Sequence, residues 1–78
     1  SLSISAKVFP NPSKGSFTFE TVSIGSIEIF DINGVLILRK KIENTSTLIE
    51  TQGMSAGMYL LNFITDNQVF RKKIIIEN

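Results

Sequence analysis

The 78-residue sequence contains no cysteine, no histidine and no tryptophan. Without cysteine, the chain has no disulfide or thiolate–zinc site that could stabilise a small fold, although this absence does not identify a compartment. Without histidine, it lacks the side chain that most often serves as general base or metal ligand near neutral pH. The commonest catalytic and metal-binding arrangements are therefore excluded.

A strong charge of one sign and a long apolar run are also missing. Eight basic and seven acidic residues give a formal net charge of +1, which favours no nucleic-acid partner. No apolar run approaches the roughly 20 residues of a transmembrane helix. The first residues, SLSI, include neither Met nor the basic and apolar segments of a signal peptide. We therefore expect residues 1–78 to be a single domain taken from a longer protein.

The residues that are present favour strands. Hydrophobic residues make up 42% of the chain, enough for one small core. Their period is close to two, as in residues 16–20, where apolar and polar side chains alternate strictly. We predict strands at 4–9, 16–21, 26–31, 35–42, 46–50, 58–65 and 68–76. Seven short strands separated by turns predict a small, all-β, antiparallel sandwich.

One apolar run and five core positions extend this prediction. Residues 35–38 are continuously apolar, which favours a strand covered on both faces or one near the centre of a sheet. We expect the core to bring together side chains from different strands: Phe17, Ile29, Leu36, Leu38 and Tyr59.

Turn-forming residues separate the predicted strands. Pro10 and Pro12 cannot lie inside a hydrogen-bonded ladder, because proline has no N–H donor. Residues 31–34 end in Asn-Gly, which predicts a tight hairpin turn with positive φ. Asp66-Asn67 gives a second, weaker hairpin signal.

No arrangement of side chains predicts catalysis. The carboxylates are scattered over strand and turn positions, and so small a domain has little room for a cleft. The turn residues Asp31, Asn33, Asp66 and Asn67 carry oxygen ligands of the kind that calcium takes, but such turns are far commoner as plain hairpins. We predict neither an enzyme nor a cofactor.

The basic residues are concentrated in two triplets, 39–41 and 71–73. One interpretation is that they hydrate the outer surface and discourage edge-to-edge aggregation. The other is a docking surface for an acidic partner or for the phosphates of lipopolysaccharide. Residue chemistry alone leaves both open and favours the first.

Four motifs follow one another along the chain. They are Phe9-Pro10-Asn11-Pro12 with Gly15, then Asp31-x-x-Gly34, then Ala56-Gly57-Met58-Tyr59, and finally Arg71-Lys72-Lys73-Ile74-Ile75-Ile76. In this order and spacing, over about residues 8–77, the sequence resembles the type A C-terminal sorting domain of type IX (Por) secretion. Val35 and Met54 depart from the usual pattern of that family.

The resemblance implies an immunoglobulin-like sandwich of seven strands that directs attached cargo across the bacterial outer membrane. It also implies partners: the secretion machinery and a sortase-like peptidase that removes the domain, after which cargo is either released or joined to anionic lipopolysaccharide. The expected location is the periplasm in transit, and then the cell surface or the medium. The alternative is a structural or carbohydrate-binding module of the fibronectin or adhesin kind.

Roles for the motif residues follow from the same resemblance. Pro10 and Pro12 would give a rigid extended start, Gly34 would permit the hairpin, and Gly57 would free the backbone before Tyr59 packs inward. The best candidates for partner recognition are the residues of the last motif: Arg71, Lys72, Lys73, Ile74, Ile75 and Ile76. They would act through an exposed last strand that pairs with a receptor, or they form an ordinary closing strand.

Overall fold

The computed structural model describes residues 6–77, and within them every regular element is a strand. The strands are β1 Ala6–Lys14, β2 Ser16–Thr21, β3 Gly25–Phe30, β4 Leu36–Ile42, β5 Ser46–Glu50, β6 Gly57–Ile64 and β7 Val69–Glu77. The predicted all-β fold is confirmed, and β2 to β7 end within one residue of their predicted bounds. The first predicted strand, 4–9, begins outside the described residues, and β1 continues beyond it to Lys14.

The strands form two layers of a sandwich. The hydrogen-bonded order is β4-β3-β6-β7-β1-β2-β5. All pairs are antiparallel except β1 with β7, which run parallel. One layer contains β4, β3, β6 and β7, and the other contains β1, β2 and β5. The parallel pair, which the sequence did not predict, joins the two layers.

Strand β1 changes partner partway along its length. Residues 6–9 pair with β2, whereas Ser13 and Lys14 pair with β7. Pro10 and Pro12 lie between these segments, and both prolyl peptide bonds are cis. Because neither proline can donate a backbone hydrogen bond, the ladder is interrupted there. The prediction that the prolines break the ladder was correct, but the strand itself resumes after them.

The core lies between the layers. Its fully or almost fully buried side chains are Phe17, Phe19, Ile27, Ile29, Ile42, Ile49, Tyr59, Leu61, Phe63, Ile74 and Ile76. Phe19 of β2 and Phe63 of β6 meet edge to face, with ring centroids 4.9 Å apart, a geometry that adds to the burial energy of the rings. This pair links the two layers near the centre of the domain.

The prediction for residues 35–38 was wrong. Strand β4 is an edge strand that pairs only with β3, and its side chains at Val35, Leu36 and Ile37 are 42–54% exposed. Leu36 is therefore absent from the core, and Leu38 packs against it only partly buried. A run of apolar residues indicates a strand, but it does not reveal whether another layer covers its second face.

The loop between β3 and β4 is organised by Asp31. Its Oδ1 accepts hydrogen bonds from the N–H groups of Asn33 at 2.8 Å and Val35 at 3.0 Å. The N–H of Gly34 donates to the Asp31 carbonyl at 3.0 Å. Gly34 has φ +84°, while Asn33 does not have a positive φ. The loop therefore uses glycine alone for the left-handed position.

Candidate functional site

The last strand lies inside the hydrogen-bonded order and not at its edge. β7 pairs with β6 from Val69 to Ile76, and its Ile76 and Glu77 also pair with β1. The Asn11 side chain occupies the same edge of β7. Its Nδ2 donates to the Lys73 carbonyl at 3.2 Å, and its Oδ1 accepts from the Ile75 N–H at 3.0 Å.

This arrangement bears on how a partner could recognise β7. Ser13 is buried and its Oγ donates to the Ile75 carbonyl at 3.3 Å, next to the Asn11 contacts. From Lys73 onward, both edges of β7 are therefore occupied by this chain. A receptor strand cannot add to that part of the folded domain without displacing β1. At those residues the folded domain offers side chains, and not free backbone groups, to the surroundings.

Alternation along β7 divides the six candidate recognition residues. Ile74 and Ile76 are buried in the core, and Ile75 is half-buried on the other side. Arg71 and Lys73 are exposed and point away from the core, because they alternate with Ile74. Lys72 is exposed as well, but it lies beside β1 near Ala6 and Val8.

The side chains that point outward from β3, β4, β6 and β7 form what we call the basic face. Cross-strand pairing fixes its rows, because Phe30 lies between Leu36 and Leu60, and Leu60 lies opposite Lys73. The charged residues of the basic face are Arg39, Lys41, Arg71, Lys73, Glu28 and, at the end of β7, Glu77, that is, four cations and two carboxylates.

The cations of the basic face differ in their ion pairs. Arg39 donates to Glu28 Oε2 from Nε at 3.0 Å and also from Nη2. Lys41 Nζ lies 3.7 Å from Glu43 Oε2, and both side chains are largely exposed. Within residues 6–77, Arg71 and Lys73 make no ion pair. The positive charge of β7 is thus available to a partner.

A shallow groove of about 710 Å³ lies on the basic face beside these two cations. Apolar side chains line much of it, among them Phe30, Ile32, Met58 and Leu60, and the carboxylate of Asp31 lies in its lining as well. One oxygen of that carboxylate is held by the N–H groups of Asn33 and Val35. Met58 is 44% exposed and Leu60 is 40% exposed, although both belong to an inner strand of the layer. The face therefore combines apolar surface with unpaired positive charge.

The outer side of β1, β2 and β5, which we call the neutral face, is different. Its charged residues are Lys7, Lys14, Glu20 and Glu50, two of each sign. Lys7 lies directly opposite Glu20 in the β1–β2 ladder, a placement that favours opposite charges. The net positive charge of the chain is therefore carried mainly by the other layer.

Sequence reasoning missed the neighbours of β7 on the basic face. Met58 and Leu60 alternate with the core residues Tyr59 and Leu61, so the period of two assigns them to the solvent side. Met58 and Leu60 are large apolar residues on the solvent side of β6, where polar residues are expected. This was the signal in the sequence for an apolar surface. Glu28 could not have been paired with Arg39 before the β3–β4 register was known.

The remaining motif residues lie at turns. Gly57 opens β6 with φ +148°, which side chains rarely adopt, so glycine is required there. Two residues later, the Tyr59 hydroxyl donates to the Ser55 carbonyl at 2.7 Å while its ring is buried. Gly15 lies between β1 and β2, and its carbonyl accepts from the Thr51 N–H at 3.0 Å. Gly57 and Gly15 therefore both have a structural role at the end of a strand.

Two further surveys concern only the described part of the chain. Among residues 6–77, no three acidic side chains lie close enough together to hold a metal ion. Over the same residues, no helix is long and apolar enough to cross a membrane.

Comparison with known proteins gives matches over nearly the whole chain. The sequence profile described as "Secretion system C-terminal sorting domain" matches residues 7–77. The ulvan lyase NLR42 of Nonlabens ulvanivorans is 30% identical over 76 residues, which cover 92% of this chain and 14% of that protein. An endo-acting ulvan lyase of Formosa agariphila is 32% identical over 81 residues, which cover 97% of this chain and 16% of that protein. The chain thus spans only a small fraction of the curated relatives it matches.

Proposed function

The chain belongs to the family of secretion system C-terminal sorting domains and is a type IX secretion signal; from this premise we propose that the machinery recognises it as a folded domain, by side chains and not by strand addition to the end of β7. Proteins that carry such a domain are exported across the outer membrane to the cell surface or the medium. The occupied edges of β7 support the proposed mode of recognition, because Asn11, Ser13 and Lys14 already bond to it.

The proposed partners are the type IX machinery and a sortase-like peptidase that removes the domain after export. Anionic lipopolysaccharide is a proposed partner of the cargo and not of this domain. We also propose that the chain catalyses no reaction. The relatives are lyases, but this chain corresponds to only 14–16% of their length, so their ulvan cleavage is a property of those whole proteins.

The alternative, a fibronectin-like or carbohydrate-binding module, gains little support from the aromatic residues. Sugar-binding surfaces usually present several exposed aromatic rings, whereas Phe17, Phe19, Tyr59 and Phe63 are buried here and only Phe9, at 43%, is exposed among the described aromatic residues. We therefore retain the sorting function.

An export assay tests the proposal. A periplasm-directed fluorescent protein is fused to the N-terminus of the chain and expressed in a bacterium with an active type IX system. We expect the reporter at the cell surface or in the medium, and mass spectrometry should show that the sorting domain has been removed. The controls are the reporter alone and the same fusion in a strain without the translocon. Reporter retained in the periplasm of the active strain would contradict the sorting function.

The mode of recognition is tested with the same fusion. A disulfide between β1 and β7, introduced as Lys14→Cys and Glu77→Cys at their exposed paired position, should leave export intact, since it keeps the closed domain closed. Loss of export by the crosslinked fusion, with recovery after reduction, would mean that the machinery must separate β7 from β1.

A further inference from the structure

We propose that the basic face binds an extended protein segment that carries carboxylates two residues apart and an apolar side chain that fills the groove. This inference rests on the proposed function, because it assigns the partner to the secretion machinery. It goes beyond that function by naming the surface and the chemistry of the segment that fits it.

The distribution of charge supports an acidic partner. The chain has a net charge of +1, yet the basic face has four cations against two carboxylates, Glu28 and Glu77, and the neutral face has equal numbers. Arg71 and Lys73 remain without an ion pair among residues 6–77. A partner with carboxylates would supply the charges that this surface lacks.

The geometry of β7 supports an extended segment. Arg71 and Lys73 point to the same side of one strand, two residues apart, so their Cα atoms are separated by roughly 6.6 Å. Alternate side chains of a second extended chain have the same spacing. Two carboxylates at positions i and i+2 of the partner can therefore face both cations at once.

The groove supports a protein segment over an anionic lipid surface. Leu60 lies directly opposite Lys73, and Phe30 and Met58 line the same groove as the two cations. A layer of lipid phosphates would satisfy Arg71 and Lys73 but would leave these apolar side chains against polar headgroups. An apolar side chain on the same side of the segment as the acids, two residues before or after them, would cover the groove and remove the exposed apolar surface from water.

Charge reversal on the two faces tests the proposal. One variant carries Arg71→Glu and Lys73→Glu, and the matched control carries Lys7→Glu and Lys14→Glu on the neutral face. Both have the same net charge, and all four side chains are exposed, so circular dichroism and thermal melting should show that both fold. A second pair, Leu60→Ser and Leu48→Ser, compares exposed leucines on the two faces.

The first readout is binding in solution. The probe is a fluorescent synthetic peptide with glutamate at positions i and i+2, leucine or phenylalanine at i−2 and i+4, and serine at the positions between, so that acids and apolar side chains share one face of the extended chain. Its control has glutamine in place of glutamate. We expect the wild-type domain to bind the acidic peptide, and the basic-face reversal to weaken binding by about tenfold or more. The neutral-face variant should bind as the wild type does, and added salt should weaken binding. Equal binding of the glutamate and glutamine peptides, or stronger binding to phosphatidylglycerol vesicles than to the peptide, would overturn the proposal.

The second readout is export of the fused reporter. The basic-face variants should lose export, and the neutral-face variants should retain it. If wild type and both reversals are exported equally, the inference fails while the sorting function stands. If the wild-type fusion is not exported at all, the sorting function fails, and the peptide measurement alone decides whether the face binds acidic segments.

Discussion

The tetrapeptide Arg-Lys-Lys-Ile occurs twice in this chain, at residues 39–42 of β4 and 71–74 of β7. In both copies the isoleucine is fully buried, and the arginine and second lysine point outward on the basic face. The surroundings differ. Strand β4 is an edge strand whose Arg39 and Lys41 lie beside Glu28 and Glu43, whereas β7 is an inner strand whose two cations make no ion pair within residues 6–77.

The comparison shows that the same sequence can serve two purposes in one fold. In β4, charge at an edge discourages pairing with other chains, and nearby carboxylates neutralise most of it. In β7, β6 covers one edge, and Asn11 and β1 cover the other from Lys73 onward, so edge protection concerns only residues 69–72. The two cations without an ion pair within residues 6–77 fit the acidic partner proposed above.

The largest expected effect comes from the two buried isoleucines. Ile74→Ala should lower the free energy of unfolding by about 2–5 kcal/mol, because it leaves a cavity at the centre of a layer. Ile42→Ala should cost less, because it lies at the end of an edge strand with one neighbouring strand and its surroundings can relax. Urea denaturation measures both. If both variants lose the same free energy of unfolding, the two isoleucines are packed alike. The two tetrapeptides would then differ only in the ion pairs of their cations.

The next effect concerns the Asn11 side chain, which holds β7 and has no counterpart on the free edge of β4. Asn11→Ala removes two hydrogen bonds to the backbone of β7, at an expected cost of about 1 kcal/mol, because water replaces them in part. Hydrogen exchange of the Ile75 amide should become faster, while amides of β4 keep their rates. Asn33→Ala, at an exposed position in the loop before β4, is the control. An unchanged Ile75 rate would show that the side-chain bonds do not hold the strand.

A substitution with a smaller expected effect should give β4 an arginine without an ion pair, as β7 has among the residues described. Glu28→Gln frees Arg39 from its carboxylate partner and should change stability by less than about 1 kcal/mol, as expected of an exposed pair. Binding of the acidic peptide should become about two- to threefold tighter, because a third cation joins Arg71 and Lys73. Glu20→Gln on the neutral face should leave binding unchanged. Weaker binding by the Glu28 variant would contradict the idea that unpaired cations bind the partner.

The smallest effects are expected at the central lysines of the two tetrapeptides. Lys40 and Lys72 are exposed and alternate with the outward residues, so neither belongs to the basic face. Alanine at either position should change the free energy of unfolding by no more than about 0.5 kcal/mol and should not alter peptide binding in a fluorescence titration. A loss of binding with Lys72→Ala alone would extend the recognition surface around the edge of β7.

Much of the fold could be predicted because the relevant signals are local. Alternation in residues 16–20 and the turn at Asp31 are read from neighbouring positions, and both strands and turns were placed correctly. The edge position of β4 and the parallel pairing of β7 with β1 could not be predicted in this way. The parallel pairing depends on contacts between residues more than 60 positions apart, such as Asn11 with Lys73, and the edge position of β4 depends on the strand order of the whole sheet.

The candidate site was predicted less completely than the fold. The sequence motif pointed to residues 71–76, but it could not show that Ile74 and Ile76 are used in the core. Nor could it show that Phe30 and Leu60 extend the surface across two further strands. Those neighbours are determined by register, which propensity does not encode.

The parallel junction of β1 with β7 has a consequence for synthesis. Within residues 6–77 it is the only ladder between the two layers, and one of its two sides is formed by residues 76 and 77. A ribosome-bound chain that stops before residue 73 holds two separate sets of strands and none of the bonds to Asn11. The domain therefore closes only on chains translated through this segment, so a prematurely terminated product would not display the closed, folded signal.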